Sequence, residues 1–215
     1  MIHIQGLTFN SFQVNTYLVW DEKGDCLVVD PAFYDGEERE RFESFIAERR
    51  LRIAGQVNTH AHIDHILGVP YIKSRHKHPF RAHREEDSIA TKAHLMGEIF
   101  GLSAEPLSGI DRYIEDEELI NAGSYSLRTL FVPGHSPGSL AFYSAEGAFV
   151  IAGDALFSGS IGRTDLPGGN YDQLVHSIQS RLLVLPPETK VYPGHGPPTT
   201  IGKEARDNPF LSMAQ

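Results

Sequence analysis

Six consecutive residues, His60-Ala61-His62-Ile63-Asp64-His65, carry three imidazoles and a carboxylate. These are the nitrogen and oxygen donors that suit zinc, iron or manganese. Side chains alternate along extended backbone, so His60 and His62 point to one side and can grip one ion. Asp64 and His65 fall where the chain begins to turn, and are free to serve a second ion. Chance alone is a poor source of so dense a His/Asp cluster.

Three later sites share a design with this stretch. Val132-Pro133-Gly134-His135, Ile151-Ala152-Gly153-Asp154 and Tyr192-Pro193-Gly194-His195 each place a ligand type after an apolar run and a glycine that lets the backbone turn sharply. Together they give seven candidate ligands: His60, His62, Asp64, His65, His135, Asp154 and His195. One open catalytic ion needs fewer. Two ions sharing a carboxylate would use all seven, and such a pair activates water for attack on a carbonyl or phosphoryl centre. No Ser-His-Asp or reactive-cysteine arrangement competes.

The elements that must position these residues follow from local pattern. Residues 2 to 30 read as successive strands, with a hairpin turn at Asp21-Glu22-Lys23-Gly24-Asp25. Cys26 to Val29 reads as a buried strand ending at Asp30, which is either a turn former or a prop for a ligand. Residues 35 to 50 read as a helix burying Phe42, Phe45 and Ile46, and Ile53 to Asn58 as the strand that delivers the His cluster. Helices are expected over 63 to 75, with an irregular start at Gly68-Val69-Pro70, and over 84 to 100, with His76, His78, His83 and His94 as surface or capping residues. Residues 105 to 120, including Glu115-Asp116-Glu117-Glu118, read as a solvated turn. A second set of strands is expected over 125 to 132, 140 to 143, 148 to 152 and 190 to 192. A helix from Tyr171 to Leu185 carries the apolar stripe Leu174, Ile178, Leu182 and Leu185, and the tail reads as short and polar. Loops bearing histidines all follow strands, so a sheet-plus-helix architecture with loops converging on one edge is expected.

The bulk numbers narrow the class. A chain of 215 residues, 40% hydrophobic and 22% charged, fits one globular domain over 1–215. A formal charge of −9 argues against non-specific binding to nucleic acid or to anionic membrane. No apolar run approaches the ~20 residues of a membrane span, and nothing resembles a signal peptide. The single cysteine, Cys26, excludes an intrachain disulfide framework and fits a reducing compartment, so a cytoplasmic location is expected.

The ordered set His60-x-His62-x-Asp64-His65, Gly134-His135, Gly153-Asp154 and Gly194-His195 resembles the metallo-β-lactamase superfamily over essentially the whole chain. The segments Gly153 to Phe157, Ser160 to Pro167, Pro193 to Gly196 and Asn208 to Leu211 are similar to the glyoxalase II-like hydrolases, in a short form without their C-terminal helical domain. The resemblance implies an α/β fold, an αβ/βα four-layer sandwich of two mixed sheets with helices on the outer faces. It implies two divalent ions, zinc first, with iron or manganese as alternatives. His60, His62 and His135 would hold one, Asp64, His65 and His195 the other, with Asp154 bridging. Asp64 would also touch the nucleophile, a metal-bound hydroxide attacking a thioester carbonyl. Asp30, and with it Thr59, would prop a ligand. The implied activity is a thioesterase of the hydroxyacylglutathione hydrolase type. Its partner would be a small thioester rather than a nucleic acid or a membrane, and its state a monomer or weak homo-oligomer. Without the helical domain, candidate substrate cations reduce to Arg163 near the cleft mouth and Lys203 and Arg206 in the tail.

Other readings stay open at this point. A persulfide dioxygenase of the same sub-branch would use one iron held by two His and an Asp. Lactonase, β-lactamase or nuclease chemistry would use the same ligands. A non-catalytic metal module would more commonly be a closed four-ligand site with cysteines.

Overall fold

The computed structural model describes residues 1–211. Its first half opens with strands β1 (Ile2–Phe9), β2 (Val14–Asp21) and β3 (Asp25–Val29), followed by helix α1 (Gly36–Glu48) and strand β4 (Arg52–Val57). Short helices α2 (Ile63–Ile66) and α3 (Val69–Tyr71), strand β5 (Arg81–Ala82) and helix α4 (Asp87–Ile99) complete it. The second half holds β6 (Arg112–Tyr113), β7 (Leu119–Ala122), β8 (Tyr125–Phe131), β9 (Leu140–Ser144), β10 (Phe149–Gly153), β11 (Leu156–Phe157) and β12 (Ser160–Ile161). Helix α5 (Tyr171–Ser177), β13 (Lys190–Pro193), β14 (Thr199–Thr200) and α6 (Ile201–Asp207) follow.

The strands form two main mixed sheets, one in the order β1-β2-β3-β4 and one in the order β14-β13-β10-β9-β8-β7. Alternation along β2 and β3 shows how the layers arise. Tyr17, Val19, Leu27 and Val29 face the second sheet, where Leu127, Phe142, Phe149 and Ile151 meet them. Leu18, Cys26 and Val28 face the opposite way, onto Phe42, Phe45 and Ile46 of α1. On the far side of the second sheet, Val132, Ala141, Val150 and Ala152 pack on Leu174, Ile178 and Leu182. The expected αβ/βα sandwich is therefore present, and Cys26 is one of its buried residues.

Each main sheet has one parallel pair, β3 with β4 and β10 with β13. The ends of these four strands lead into Asp30, Thr59-His60, Asp154 and Gly194-His195. Strands that run parallel end at the same edge, so ligands distant in sequence arrive together.

Several expectations are corrected. The region 63–75 is not one helix: α2 stops at Ile66, and α3 runs into a wider π-type turn over Ile72–His76. Gly68, between α2 and α3, lies against Phe33 and the Pro31 carbonyl with no room for a Cβ, and its amide donates to that carbonyl. Tyr171 to Leu185 is likewise α-helical only to Ser177 before a π-type turn, although the predicted stripe is buried. The tail is not merely polar. Thr200 caps α6 by accepting from the Lys203 amide, and buried Glu204 accepts from Thr199, Asn208 and the Gly159 amide. Residues 119–122 form strand β7. The acidic run before it is exposed but engaged, since Glu115, Asp116, Glu117 and Glu118 receive Arg84, Arg181, Arg128 and Arg81. His83 does cap the turn at Arg84–Glu86, while buried against Phe131.

Candidate metal centre

All seven candidate ligands converge at the edge where the parallel pairs end. Donor atoms of His60, His62 and His135 lie within 4.8 Å of one another, as do those of Asp64, His65 and His195. Asp154 reaches both sets: its Oδ2 is 3.6 Å from His135 Nε2 and 3.4 Å from His195 Nε2.

The rings are held from behind. His135 Nδ1 donates to the Arg163 carbonyl at 2.8 Å and His195 Nδ1 to the Phe12 carbonyl at 3.0 Å. His65 Nδ1 donates to Asp30 Oδ2 at 3.0 Å. The same carboxylate accepts from the Thr59 amide and hydroxyl, both at 2.7 Å. That spends the Thr59 proton on Asp30, so the Thr59 oxygen accepts from His60 Nδ1 at 3.0 Å. Each of these four rings therefore turns Nε2 inward, the nitrogen that a metal ligand uses once it carries no proton. His62 differs: its Nδ1 faces His135 Nε2 at 3.0 Å. Asp30 lies beside His60 and His65, but its oxygens are occupied in orienting them. It sits at a positive φ of 51°, a conformation Asp tolerates better than most residues.

The glycines before the ligands have two separate reasons. Gly153 has φ 51°, and a Cβ there would strike Thr59. Gly194 needs no unusual dihedral; a Cβ there would collide with the Asp154 carboxylate and the His65 ring. The glycine expected to serve as a hinge serves as clearance.

The electrostatics divide the centre. Burial, reinforced by its imidazole neighbours, holds His60 well below its ordinary pKa. Burial and His135 bring His62 down to about 4, and burial lowers His135 despite Asp154. In the other trio burial also disfavours charge, but the Asp154 and Asp64 carboxylates outweigh it for His65, which is raised well above its normal value. The same balance takes His195 up to about 9. Burial would raise Asp154, yet the surrounding imidazoles hold it well below the carboxylate range.

Whether this set suits metal can be tested on atoms left without a partner. His60 Nε2 is buried and makes no hydrogen bond among the described residues, and Asp154 Oδ1, likewise without one, has only the 3.5 Å ion-pair contact with His65 Nε2. Orphaned buried polar atoms are rare because each costs desolvation free energy. Here both point into the ligand cluster, so bound cations would satisfy them, and the donor set fits.

Sequence comparison agrees with the geometry. The model of the metallo-β-lactamase superfamily matches residues 10–195. The chain belongs to the metallo-β-lactamase superfamily. Among curated relatives, it is 40% identical over 205 residues to the probable metallo-hydrolase YqgX of Bacillus subtilis, covering 93% of each chain. It is 33% identical over 213 residues to hydroxyacylglutathione hydrolase GloC of Haemophilus influenzae, covering 98% of this chain and 99% of that one. Among solved structures, the di-iron-bound form of TTHA1623 superposes with a TM-score of 0.86 at 38% identity, covering 96% of this chain and all of that one. The superfamily fold and the two His/Asp clusters fit a dinuclear metal centre. No helix among the described residues is long and apolar enough to cross a membrane.

Beside the centre opens a cleft of about 370 Å3 whose lining includes His62, Asp64, His135, Asp154 and His195. Arg163 also lines it, but its guanidinium is largely exposed and forms a two-pronged pair with Asp165, both contacts at 2.7 Å. What reaches the metal ligands is its backbone carbonyl. Lys203 donates to Ser158 and Arg206 lies 3.8 Å from Asp207; neither lines the cleft.

Sequence reasoning missed Glu86. It is fully buried ahead of α4, where Oε2 accepts from the Ala61 amide at 2.8 Å and Oε1 from the Gly138 amide at 2.7 Å. One carboxylate thus ties the His60–His62 loop to the loop that follows His135. Asn58 and Asn10 act similarly, donating to the carbonyls of His65 and Asp64. Nothing in Arg84-Glu85-Glu86-Asp87 distinguishes the third residue from its solvated neighbours.

Proposed function

We propose that this protein is a dinuclear metallo-hydrolase of thioesters, related in chemistry to hydroxyacylglutathione hydrolases. The observation that carries the reading is the reach of Asp154 to both trios, which makes a paired site of two adjacent single ones. Two divalent ions bound there supply a Lewis acid for a carbonyl oxygen and a lowered pKa for water.

The chain's own residues do the rest. Asp30, Thr59 and the carbonyls of Arg163 and Phe12 fix ring orientation and tautomer. Asp64, partly exposed at the cleft and held below its normal pKa by His65 and His195 despite burial, is an ionised acceptor beside the reacting centre. It can orient water by accepting its hydrogen bond. A substrate seated against the apolar cleft wall would displace water from it, which strengthens each of these interactions. The likeness to GloC supports a thioester as the bond broken.

The test is a panel of thioesters (S-lactoylglutathione among them), lactones, phosphodiesters and a β-lactam, assayed with zinc, iron and manganese forms. Thioester turnover with two metals per chain is the expected result. Turnover of another class with all thioesters inert sinks the reading. One iron per chain with oxygen consumed on glutathione persulfide replaces it with the dioxygenase.

A further inference from the structure

The cleft wall opposite the metal ligands is apolar and belongs to α4. Ile89, Ala93, Met96 and Phe100 recur at the three- and four-residue spacing of one helix face, and all line the cleft. Phe12 closes over from the β1–β2 loop and meets Phe100 edge-to-face, ring centres 5.3 Å apart. Phe157 and Leu166 complete the lining. Apart from ligand residues, Arg163 is the sole polar side chain there among the described residues, and Asp165 neutralises it.

This wall does not end at the cleft. A second cavity of about 310 Å3 shares His62, Ile89, Met96 and Leu166 with the first and adds Ser88 and Lys92 to its lining, so a mainly apolar groove with one cation continues past α4. Met96 and Phe100 are 37% and 52% exposed, a large apolar area for a monomer to leave wet. Among the described residues the metal cleft offers a twice-carboxylated thiol such as glutathione only Arg163, already paired with Asp165, and the adjoining cavity adds the single cation Lys92. An aliphatic chain running out from the metal centre covers these residues.

From this the geometry points to a substrate class, resting on the thioesterase reading: thioesters whose acyl group is a medium-length apolar chain, seated along Met96 and Phe100 of α4. The groove would then select by chain length, each added methylene leaving water against the helix.

The experiment uses the metal-loaded protein and saturated acyl thioesters of N-acetylcysteamine from acetyl to octanoyl. The expected result is kcat/KM rising about fourfold per methylene, the scale of burying one CH2. Met96→Ser and Phe100→Ser flatten that rise without lowering metal content. A flat or falling series, or a preference for S-lactoylglutathione over the longer acyl thioesters, overturns the proposal. If every thioester is inert, the thioesterase reading fails by itself, and calorimetry with acetate through octanoate still decides the groove. Tightening with length supports the acyl site, and equal affinities overturn it. Sedimentation covers the remaining occupant. If the chain is a dimer that Leu95→Ser and Ile99→Ser dissociate, a second copy covers the α4 face and the proposal falls.

Discussion

The trio of His60, His62 and His135 lies beside the trio of Asp64, His65 and His195, yet their protons are managed in opposite ways. The first is all imidazole, closely packed and kept neutral by burial and by neighbouring rings. The second sets two imidazoles against two carboxylates, so that in the metal-free protein its rings hold protons that a metal must displace. The first site is ready for a cation at any ordinary pH, whereas the second exchanges protons for one. Asp154 is where the two regimes meet.

The comparison breaks most severely at that bridge. Asp154→Ala should remove the second metal, loosen the first and lower activity by on the order of a thousandfold or more, the scale of losing metal-activated water. Metal analysis beside initial rates checks this, and two tightly held ions in the variant would refute it. Glu86→Gln splits the trios instead. An amide cannot accept from both the Ala61 and Gly138 N–H groups, so first-site affinity should drop by about 10- to 100-fold while the second site keeps its own. Competitive metal titration reads the two sites separately, and an equal loss at both would make Glu86 merely structural.

The pH dependence sharpens the contrast. His195 is raised from 6.5 to about 9, so in the metal-free protein its paired, protonated form contributes stability that is complete below 6.5 and fades as pH rises through about 9. Metal competes with that proton. The rise in Tm on adding zinc should therefore grow between those limits, as melting curves with and without metal would register. A zinc effect that shrinks over this range contradicts the assignment.

The smallest effect belongs to the surface cations. Arg163→Ala should leave metal content intact and cost less than about 1 kcal/mol, because its exposed pair with Asp165 is screened and the carbonyl that holds His135 remains. Lys203→Ala and Arg206→Ala should change kcat/KM by less than about twofold, as expected of exposed side chains remote from the chemistry. Steady-state kinetics suffices for all three.

What could be read in the sequence depends on whether a residue's role is local. His60 and His62 announce themselves because spacing on a strand determines their direction, and strands such as Cys26 to Val29 are legible as apolar runs, whereas the sandwich they build is implied only by the resemblance to the superfamily. Local pattern leaves Asp30 between a turn and a prop, and only the resemblance to the superfamily points to the prop, because the approach of Thr59 and His65 is what gives its carboxylate a task. Glu86 was invisible for the same reason: its partners lie 25 and 52 residues away, and its neighbours are ordinary charges. The irregularity at Gly68-Val69-Pro70 is legible from residue type, but the π-type turn over Ile72–His76 that follows it is not. Strand β7 and helix α6 hid in polar segments whose pairing and capping partners lie in other elements.

Each trio takes ligands from both halves of the chain: His60 and His62 with His135, Asp64 and His65 with His195. Neither half could chelate strongly alone, so metal capture is a report on the docking of one sheet against the other. An ion that binds the assembled state and not the open chain acts as a reversible crosslink between them. Refolding in the presence of a spectroscopically visible cation such as cobalt would then time the last encounter of the two halves, and chelation would loosen their seam before it melted either sheet.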